Sequence, residues 1–453
     1  MRPSEMSDSE WTALVERGRA FVESRHDARV VATELDGIYR EVLARRTRRR
    51  RSVDCSEPSV RDDFLIFGKP VIEEPEIAEV VDSLRSGWIG TGPKVQQFEL
   101  MLEDYLAVPQ VRCLSSCTAA LILGMKVLGV GPGDEVIVPA MTFVASANAV
   151  VHAGATPVLV DSEPGTGLMD LDATEAAITP RTKALMPVHL AGRPVDMDRL
   201  NAIRDKYGLL IVEDAAHAIG AAWRGTRIGG HGNLTAYSFY VTKNITTGEG
   251  GALATENPDV AAEVERLALH GLSLGAWQRF SDAGFKHYEV EEPGFKFNMM
   301  DIQAALGIHQ LPRLDEWIDR RAELWERYDE LLDGLPVETP PSPEGDMRHA
   351  RHLYQVLVSR DAGLSRDELL GGLTARRIGT GVHYRGVHLH PYYRDRFELK
   401  ASQFPVATDI SERTLSLPFG PGLSEQDQRD VVDALAEGIA SAGGSRLVQP
   451  QAP

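Results

Sequence analysis

Lys243 stands in Ser238-Phe-Tyr-Val-Thr-Lys243-Asn-Ile-Thr-Thr-Gly248-Glu-Gly-Gly251, an apolar strand end running into a glycine-rich turn. That pattern sets an amine at the carboxyl edge of a sheet, where open α/β sheets hold their ligands. Most lysines before a loop are surface residues, so the motif needs support. Support comes from Val212-Glu213-Asp214-Ala-Ala-His217, in which an acidic residue ends a largely apolar strand. A buried carboxylate is costly without a cation, so Asp214 requires a cationic partner. A protonated pyridine nitrogen is such a partner, and a lysine able to form a Schiff base with an aldehyde completes the requirements for pyridoxal 5′-phosphate. The phosphate needs a cradle, and Ser115-Ser116-Cys117-Thr118-Ala119-Ala120-Leu121 reads as a small-residue turn opening a helix. Free N–H groups and the helix dipole bind dianions there, although the same residues suit an ordinary N-cap.

These residues need a sheet to carry them. Strand-like runs at 134–139, 156–161, 184–189 and 209–214 alternate with helical patterns at 145–151, 171–177 and 197–207. Such alternation specifies right-handed crossovers and a mostly parallel sheet covered on both faces, so the fold class is α/β. After Asp301 the pattern turns to helices at 302–311 and 317–332. A strand at 352–359 and helices at 366–375 and 425–440 then indicate a smaller α+β unit. The expected organisation is an N-terminal helical extension over 1–60, a large domain over 61–310, a small domain over 311–442 and a fraying tail over 443–453.

Composition narrows the function. Hydrophobic residues make up 43% and charged residues 25% of the 453, an ordinary globular balance, and the net charge is −18. Such a surface repels nucleic acid and anionic membrane in bulk. The first 60 residues hold 12 Arg and 11 acidic residues and end in Arg45-Arg46-Thr47-Arg48-Arg49-Arg50-Arg51. A basic run without a fold around it is a weak nucleic-acid signal, so no nucleic-acid partner is expected. No apolar run approaches the ~20 residues of a membrane span, and the N-terminus lacks a signal-peptide layout. Three cysteines are too few and too irregular for a disulfide framework or a zinc site. A cytoplasmic, metal-free protein is the expectation.

Seven ordered segments resemble the DegT/DnrJ/StrS sugar aminotransferases over about residues 65 to 440. They are SGWIGTGPKVQQFE from Ser86, SSCTAAL from Ser115, MTFVASANAV from Met141, VEDAAHAIG from Val212, SFYVTKNITTGEGGAL from Ser238, FKFNMMDIQAALG from Phe295 and IGTGVHYRGVHLHPYY from Ile378. The resemblance implies a fold-type I enzyme with a seven-stranded sheet, dependent on pyridoxal phosphate with pyridoxamine phosphate as intermediate. It implies a homodimer with shared sites that takes an amino group from an amino acid, glutamate first, and gives it to a nucleotide-linked keto sugar.

Carried over by position, Lys243 is the Schiff-base lysine, Asp214 the pyridine-nitrogen carboxylate and His217 the contact to the ring hydroxyl. Cys117, Thr118 and Ala119 form the phosphate turn, with Cys117 where many members have glycine, and Ser238 is a second phosphate ligand. Phe143 stacks on the ring, and Lys296 and Asn298 reach the phosphate from the partner subunit. Trp88, Tyr384, Arg385, His388 and His390 are expected near the substrate. The front loop, the stretch from Leu269 to Asn298 and the Ile378 segment look most like members that aminate C4. Amination at C3, or of a free cyclitol or carbocyclic ketone, is the alternative. The related 3-dehydratases replace the lysine with histidine, and Lys243 argues against that chemistry.

Overall fold

The structure is a computed structural model and describes residues 60–273 and 289–446. The N-terminal extension with its arginine run, the stretch 274–288 and the chain beyond 446 lie outside the described residues. A seven-stranded sheet is built from β1 (Gln110–Leu114), β2 (Glu135–Pro139), β3 (Thr156–Val160), β4 (Thr182–Leu185), β5 (Leu210–Asp214), β8 (Leu234–Ser238) and β9 (Gly251–Thr255), the short β6 (Ala222–Trp223) and β7 (Thr226–Arg227) lying outside it. Its order is β1-β9-β8-β5-β4-β2-β3. Only β9 runs against its neighbours β1 and β8; the other pairings are parallel.

Strands β2, β8 and β9 are buried along their whole length, as a sheet covered on both faces demands. Alternate side chains serve separate cores: Ile137 and Ile211 join one, while Val136, Val138 and Val212 join the other. The first core takes in Phe98, Leu102 and Leu106 of a helix at Pro93–Leu106 (α2), which follows α1 (Glu74–Ser86). The second takes in Ala120, Leu121 and Leu123 of α3 (Cys117–Val127). Gly124 of α3 lets that helix approach β5, since a Cβ there would stand 3.2 Å from Val212.

Helices α4 (Val144–His152), α5 (Leu171–Ala176) and α6 (Met197–Tyr207) make the crossovers, and α7 (Pro258–Ala268) follows β9. The strand expected at 184–189 is displaced. β4 ends at Leu185, and Val188 makes a single bridge to Asp214. Pro187 lacks the N–H that a continuing ladder needs.

Helix α8 (Asp301–Gln310) leads into α9 (Leu314–Leu331). The apolar side of α8 is covered within the chain, because Gly307 sits against the ring of Phe98 and Ala304, Ala305 and Ile308 are buried. An exposed apolar face on this helix therefore gives no argument for a partner subunit. A second, antiparallel sheet joins β10 (Val337–Glu338), β12 (Tyr354–Val358) and β13 (Thr414–Leu417), while β11 (Met347–Arg348) pairs with β6. Its core gathers Trp325, Tyr328, Tyr354 and Phe419 under α10 (Arg366–Ala375) and α13 (Glu425–Arg446). Two shorter helices, α11 (Pro391–Arg396) and α12 (Pro405–Arg413), lie between them in the chain. The last helix passes the boundary expected at 442.

Candidate active site

Two adjacent acids at the end of β5 face opposite ways. Glu213 is fully buried, and its oxygens are taken by His189 Nε2 at 3.0 Å and the Asn233 amide at 2.7 Å. Asp214 is buried on the other face, where Ser146 Oγ donates to Oδ2 at 2.7 Å and the Ala216 N–H donates to Oδ1 at 3.1 Å. Cys117 Sγ lies 3.9 Å from Oδ1. No lysine or arginine forms a salt bridge with Asp214 among the described residues. Burial raises the pKa of the Asp214 carboxyl, and Ser146, Ala216 and the Lys243 charge oppose that rise.

Lys243 follows β8 in a turn closed by its own N–H donating to Tyr240 O at 2.9 Å. The loop after it is held to the strand end by Thr247 N–H donating to Phe239 O and Phe239 N–H donating to Gly250 O, both at 2.9 Å. Burial brings the Lys243 pKa down to about 8, against the opposing pull of Cys117 and Asp214. An amine so poised changes charge easily near neutral pH.

The small-residue turn opens α3 at Cys117. Ser116 caps α3, its Oγ accepting from Ala119 N–H at 3.1 Å. The N–H groups of Cys117 and Thr118 have no partner among the described residues. Gly251 opens β9 directly beneath them, where a Cβ would stand 2.4 Å from Cys117 N. Ser238 is buried at the end of β8. A buried carboxylate without a cation, an amine near neutrality and two free amides at a helix start fit pyridoxal phosphate: ring nitrogen on Asp214, aldehyde at Lys243, phosphate on the amides and Ser238.

His217 is buried, with Nδ1 accepting from Ala191 N–H at 3.1 Å and Nε2 2.9 Å from the Tyr384 hydroxyl. Burial first, and then Lys243 and His383, hold it well below the ordinary histidine range. A neutral ring whose Nδ1 accepts must carry its proton on Nε2, which donates to Tyr384. Phe143 is 54% exposed, its ring 5.6 Å from that of Tyr384.

Lys296 donates to Asn298 Oδ1 at 2.6 Å, and the Asn298 amide donates to Thr91 Oγ1 at 2.6 Å. Both residues line one open cleft with Trp88, Ser115 and Glu249. Tyr384 thus joins the lysine cluster and Trp88 the cleft. The other expected substrate residues are placed otherwise. His388 is buried, its Nε2 2.8 Å from Thr408 Oγ1 and its ring against Phe404; His390 precedes α11; exposed Arg385 donates to Leu389 O.

Sequence reasoning missed Ser146, Asn244, His352 and His383. Asn244 Nδ2 donates to Ala350 O at 2.7 Å, its Oδ1 lies 3.1 Å from His352 Nδ1, and the His352 ring is 4.5 Å from that of His217. Ser146, Asn244 and His383 lie in segments already singled out, three residues after Phe143, next to Lys243 and next to Tyr384; His352 does not.

The chain is similar to known proteins over most of its length. The pattern of the DegT/DnrJ/EryC1/StrS aminotransferase family matches residues 70–436. The spore coat polysaccharide biosynthesis protein SpsC of Bacillus subtilis is 45% identical over 384 residues, covering 84% of this chain and 99% of its own. Among solved structures, the putative sugar aminotransferase Spr1654 of Streptococcus pneumoniae in its PLP form is 36% identical with TM-score 0.77, over 84% of this chain and 99% of that one. DesV of S. venezuelae, solved with a ketimine intermediate, is 38% identical with TM-score 0.72, over 80% and 94%.

Proposed function

The chain belongs to the DegT/DnrJ/EryC1/StrS aminotransferase family, and from that membership and its lysine–carboxylate geometry we propose that it aminates C4 of a nucleotide-linked keto-deoxysugar, with glutamate as donor. It is a sugar aminotransferase dependent on pyridoxal phosphate. The observation that carries the finer reading is buried Asp214 under the influence of the Lys243 charge, together with an open cleft lined by Trp88, Lys296 and Asn298 that reaches Ser115, next to the phosphate turn. Likeness of the front loop and the Ile378 segment to C4-aminating members supports the position. The polysaccharide role in the name of the Bacillus relative supports a sugar bound for a polymer. A cytoplasmic homodimer, in which Lys296 and Asn298 of each subunit serve the other's phosphate, belongs to the same proposal. So does a division into a large domain over 61–310 and a small one over 311–442.

When bound, pyridoxal phosphate supplies an aldehyde for amine exchange and an electron-withdrawing ring. Asp214, kept ionised by Ser146 and Ala216, holds a proton on the ring nitrogen by charge. Lys243 would hold the aldehyde through Nζ. As a free amine, that Nζ would take the proton from the donor's α-carbon and, in the return half, give one to the sugar carbon that receives the amine. The Cys117 and Thr118 amides and Ser238 fix the phosphate, and Phe143 covers the ring. His217 and Tyr384 supply the polar edge opposite Asp214.

The test is to incubate the purified protein with glutamate and a panel of nucleotide 4-keto and 3-keto sugars and to identify amine products by mass. A 4-amino sugar nucleotide is expected. Amination of a free cyclitol alone would overturn the nucleotide-sugar reading.

A further inference from the structure

A cavity of about 70 Å³ lies behind the turn that holds His217, walled by Leu190, Arg193, Trp325, His349, Leu353 and Ile410 among others. Arg193 follows the turn Leu190–Gly192, Trp325 belongs to α9 and His349 precedes β12. Ala191 of that turn donates its N–H to His217 Nδ1 and accepts from the His352 N–H. Neither Lys243 nor Asp214 lines the cavity, so it backs onto the active site without being part of it.

Arg193 is 7% exposed and forms no salt bridge among the described residues. Its Nη2 donates to the carbonyls of Pro341 and Ser342, and its Nη1 approaches Met347 Sδ at 3.7 Å. These acceptors are neutral, and Nε and the second Nη1 hydrogen have none among the described residues. Glu344 and Glu163 attract the charge from farther off. The acid in the cavity wall, Glu338, is taken by Arg413. A guanidinium removed from water is costly unless an anion compensates it.

The neighbours of Arg193 are also donors. His349 Nδ1 accepts from the Arg351 N–H at 2.8 Å, and burial followed by the Arg193 charge keeps the ring neutral. Its single proton is therefore on Nε2, which has no acceptor among the described residues. The Trp325 ring is 5.3 Å from that of His349, and its buried Nε1–H has no partner. A cation and unused N–H groups thus meet at one cavity with no unpaired acid in its wall. One water takes roughly 10–15 Å³ of such a space, which leaves room for about five non-hydrogen atoms. A tetrahedral oxyanion fits that room, whereas glutamate and a nucleotide are too large.

We propose that this cavity binds a small inorganic oxyanion, phosphate or sulfate, through the Arg193 guanidinium and the His349 Nε2–H. The anion ties the turn after β4 to the chain entering β12.

The test uses the full-length holoenzyme reduced with borohydride, in which the cofactor's own phosphate fills the phosphate turn. Calorimetric titration with phosphate, and with sulfate in a second series, against sodium chloride at matched ionic strength should show one saturable site. Arg193→Met removes the cation and should weaken binding at least about tenfold, the loss expected for a hydrogen bond to a charged group. His349→Asn keeps an acceptor for the Arg351 N–H but removes the Nε2 donor, and should weaken binding while leaving Arg193 in place. Absence of saturable binding in the parent overturns the proposal, as does undiminished binding in folded Arg193→Met. Where that variant does not fold, undiminished binding in His349→Asn overturns it. Phosphate held in the open cleft instead would survive both substitutions and so count against this site.

Discussion

Ser146 Oγ donates to Oδ2 of Asp214 at 2.7 Å, and the Thr142 hydroxyl stands 2.8 Å from the same Oγ. The pair comes from the start of α4, while Asp214 ends β5, so the crossover after β2 steadies the charge at the heart of the site. Burial alone would push the Asp214 carboxyl toward its neutral form, and this hydroxyl is the first force opposing it.

Asp214→Asn should therefore lose several orders of magnitude in turnover with the fold intact, since an amide cannot hold a proton on the ring nitrogen by charge. Ser146→Ala should lose roughly 10- to 100-fold, the range expected when one hydrogen bond to a charged group is removed. Circular dichroism and steady-state kinetics check both. Near-normal turnover in folded Asp214→Asn would make Asp214 a structural residue.

The free amine of Lys243 should behave as one with a pKa of about 8. At pH 7 about a tenth of it is neutral, whereas an ordinary lysine is almost wholly charged. After removal of the cofactor, the rate at which added pyridoxal phosphate produces the yellow imine should rise through pH 8 and level off near pH 9. A rate still climbing steeply above pH 10 would show that the burial of Lys243 does not perturb it, and Lys243→Ala should give no imine at all.

Lys243 and Asp214 were legible because each breaks its surroundings: a charged residue at the end of an apolar run has no packing reason to be there. The alternation of strands and crossovers was legible for the same reason of periodicity. His352, Asn244 and Ser146 were not, because each is ordinary within its own segment and gains meaning only when the chain brings residues 146, 214, 244 and 352 together. His388 misled in the opposite direction, since its motif is polar but its ring packs on Phe404. The early end of β4 followed from Pro187, a signal present in the sequence and outweighed there by the apolar residues around it.

Gly251 gives a stability test of the phosphate turn. A methyl there would stand 2.4 Å from both Cys117 N and Ser116 C, backbone atoms that cannot swing aside. Gly251→Ala should cost about 1–3 kcal/mol by overpacking and should weaken cofactor retention, because α3 must move off β9. Gly371→Ala, on α10 with nothing within 4 Å of the new methyl, is the control. It should be neutral or stabilise by up to about 1 kcal/mol. Thermal melts with and without cofactor separate the two, and equal melts would show that the turn tolerates a Cβ.

Acid should unfold the protein earlier than its carboxylates alone would require. His217, His349 and His352 are held well below the ordinary histidine value by burial, and His383 and His388 are brought down to about 4 by burial. In the unfolded chain these five groups take up protons as pH falls through about 6.5, while the folded chain refuses them until far lower. Each therefore contributes stability that is complete above pH 6.5 and is lost on the way down, on the order of 1.4 kcal/mol per pH unit. Buried carboxyls work the other way: burial raises Glu163, Asp214, Asp301 and Asp329, and Glu99 most of all within this interval. Glu99 is raised to about 7 by burial, so it is costly when charged and relieves the fold as pH falls from 7 toward its ordinary value. It offsets about one histidine of the five. The urea midpoint should therefore drop steeply between pH 7 and pH 5, with most of the loss below pH 6.5. Replacing His388 with Gln, away from the lysine cluster, should flatten that slope by about one proton. A midpoint constant across this interval would mean that the buried histidines accept protons in the folded state, and that the neutral form assigned to His217 is wrong.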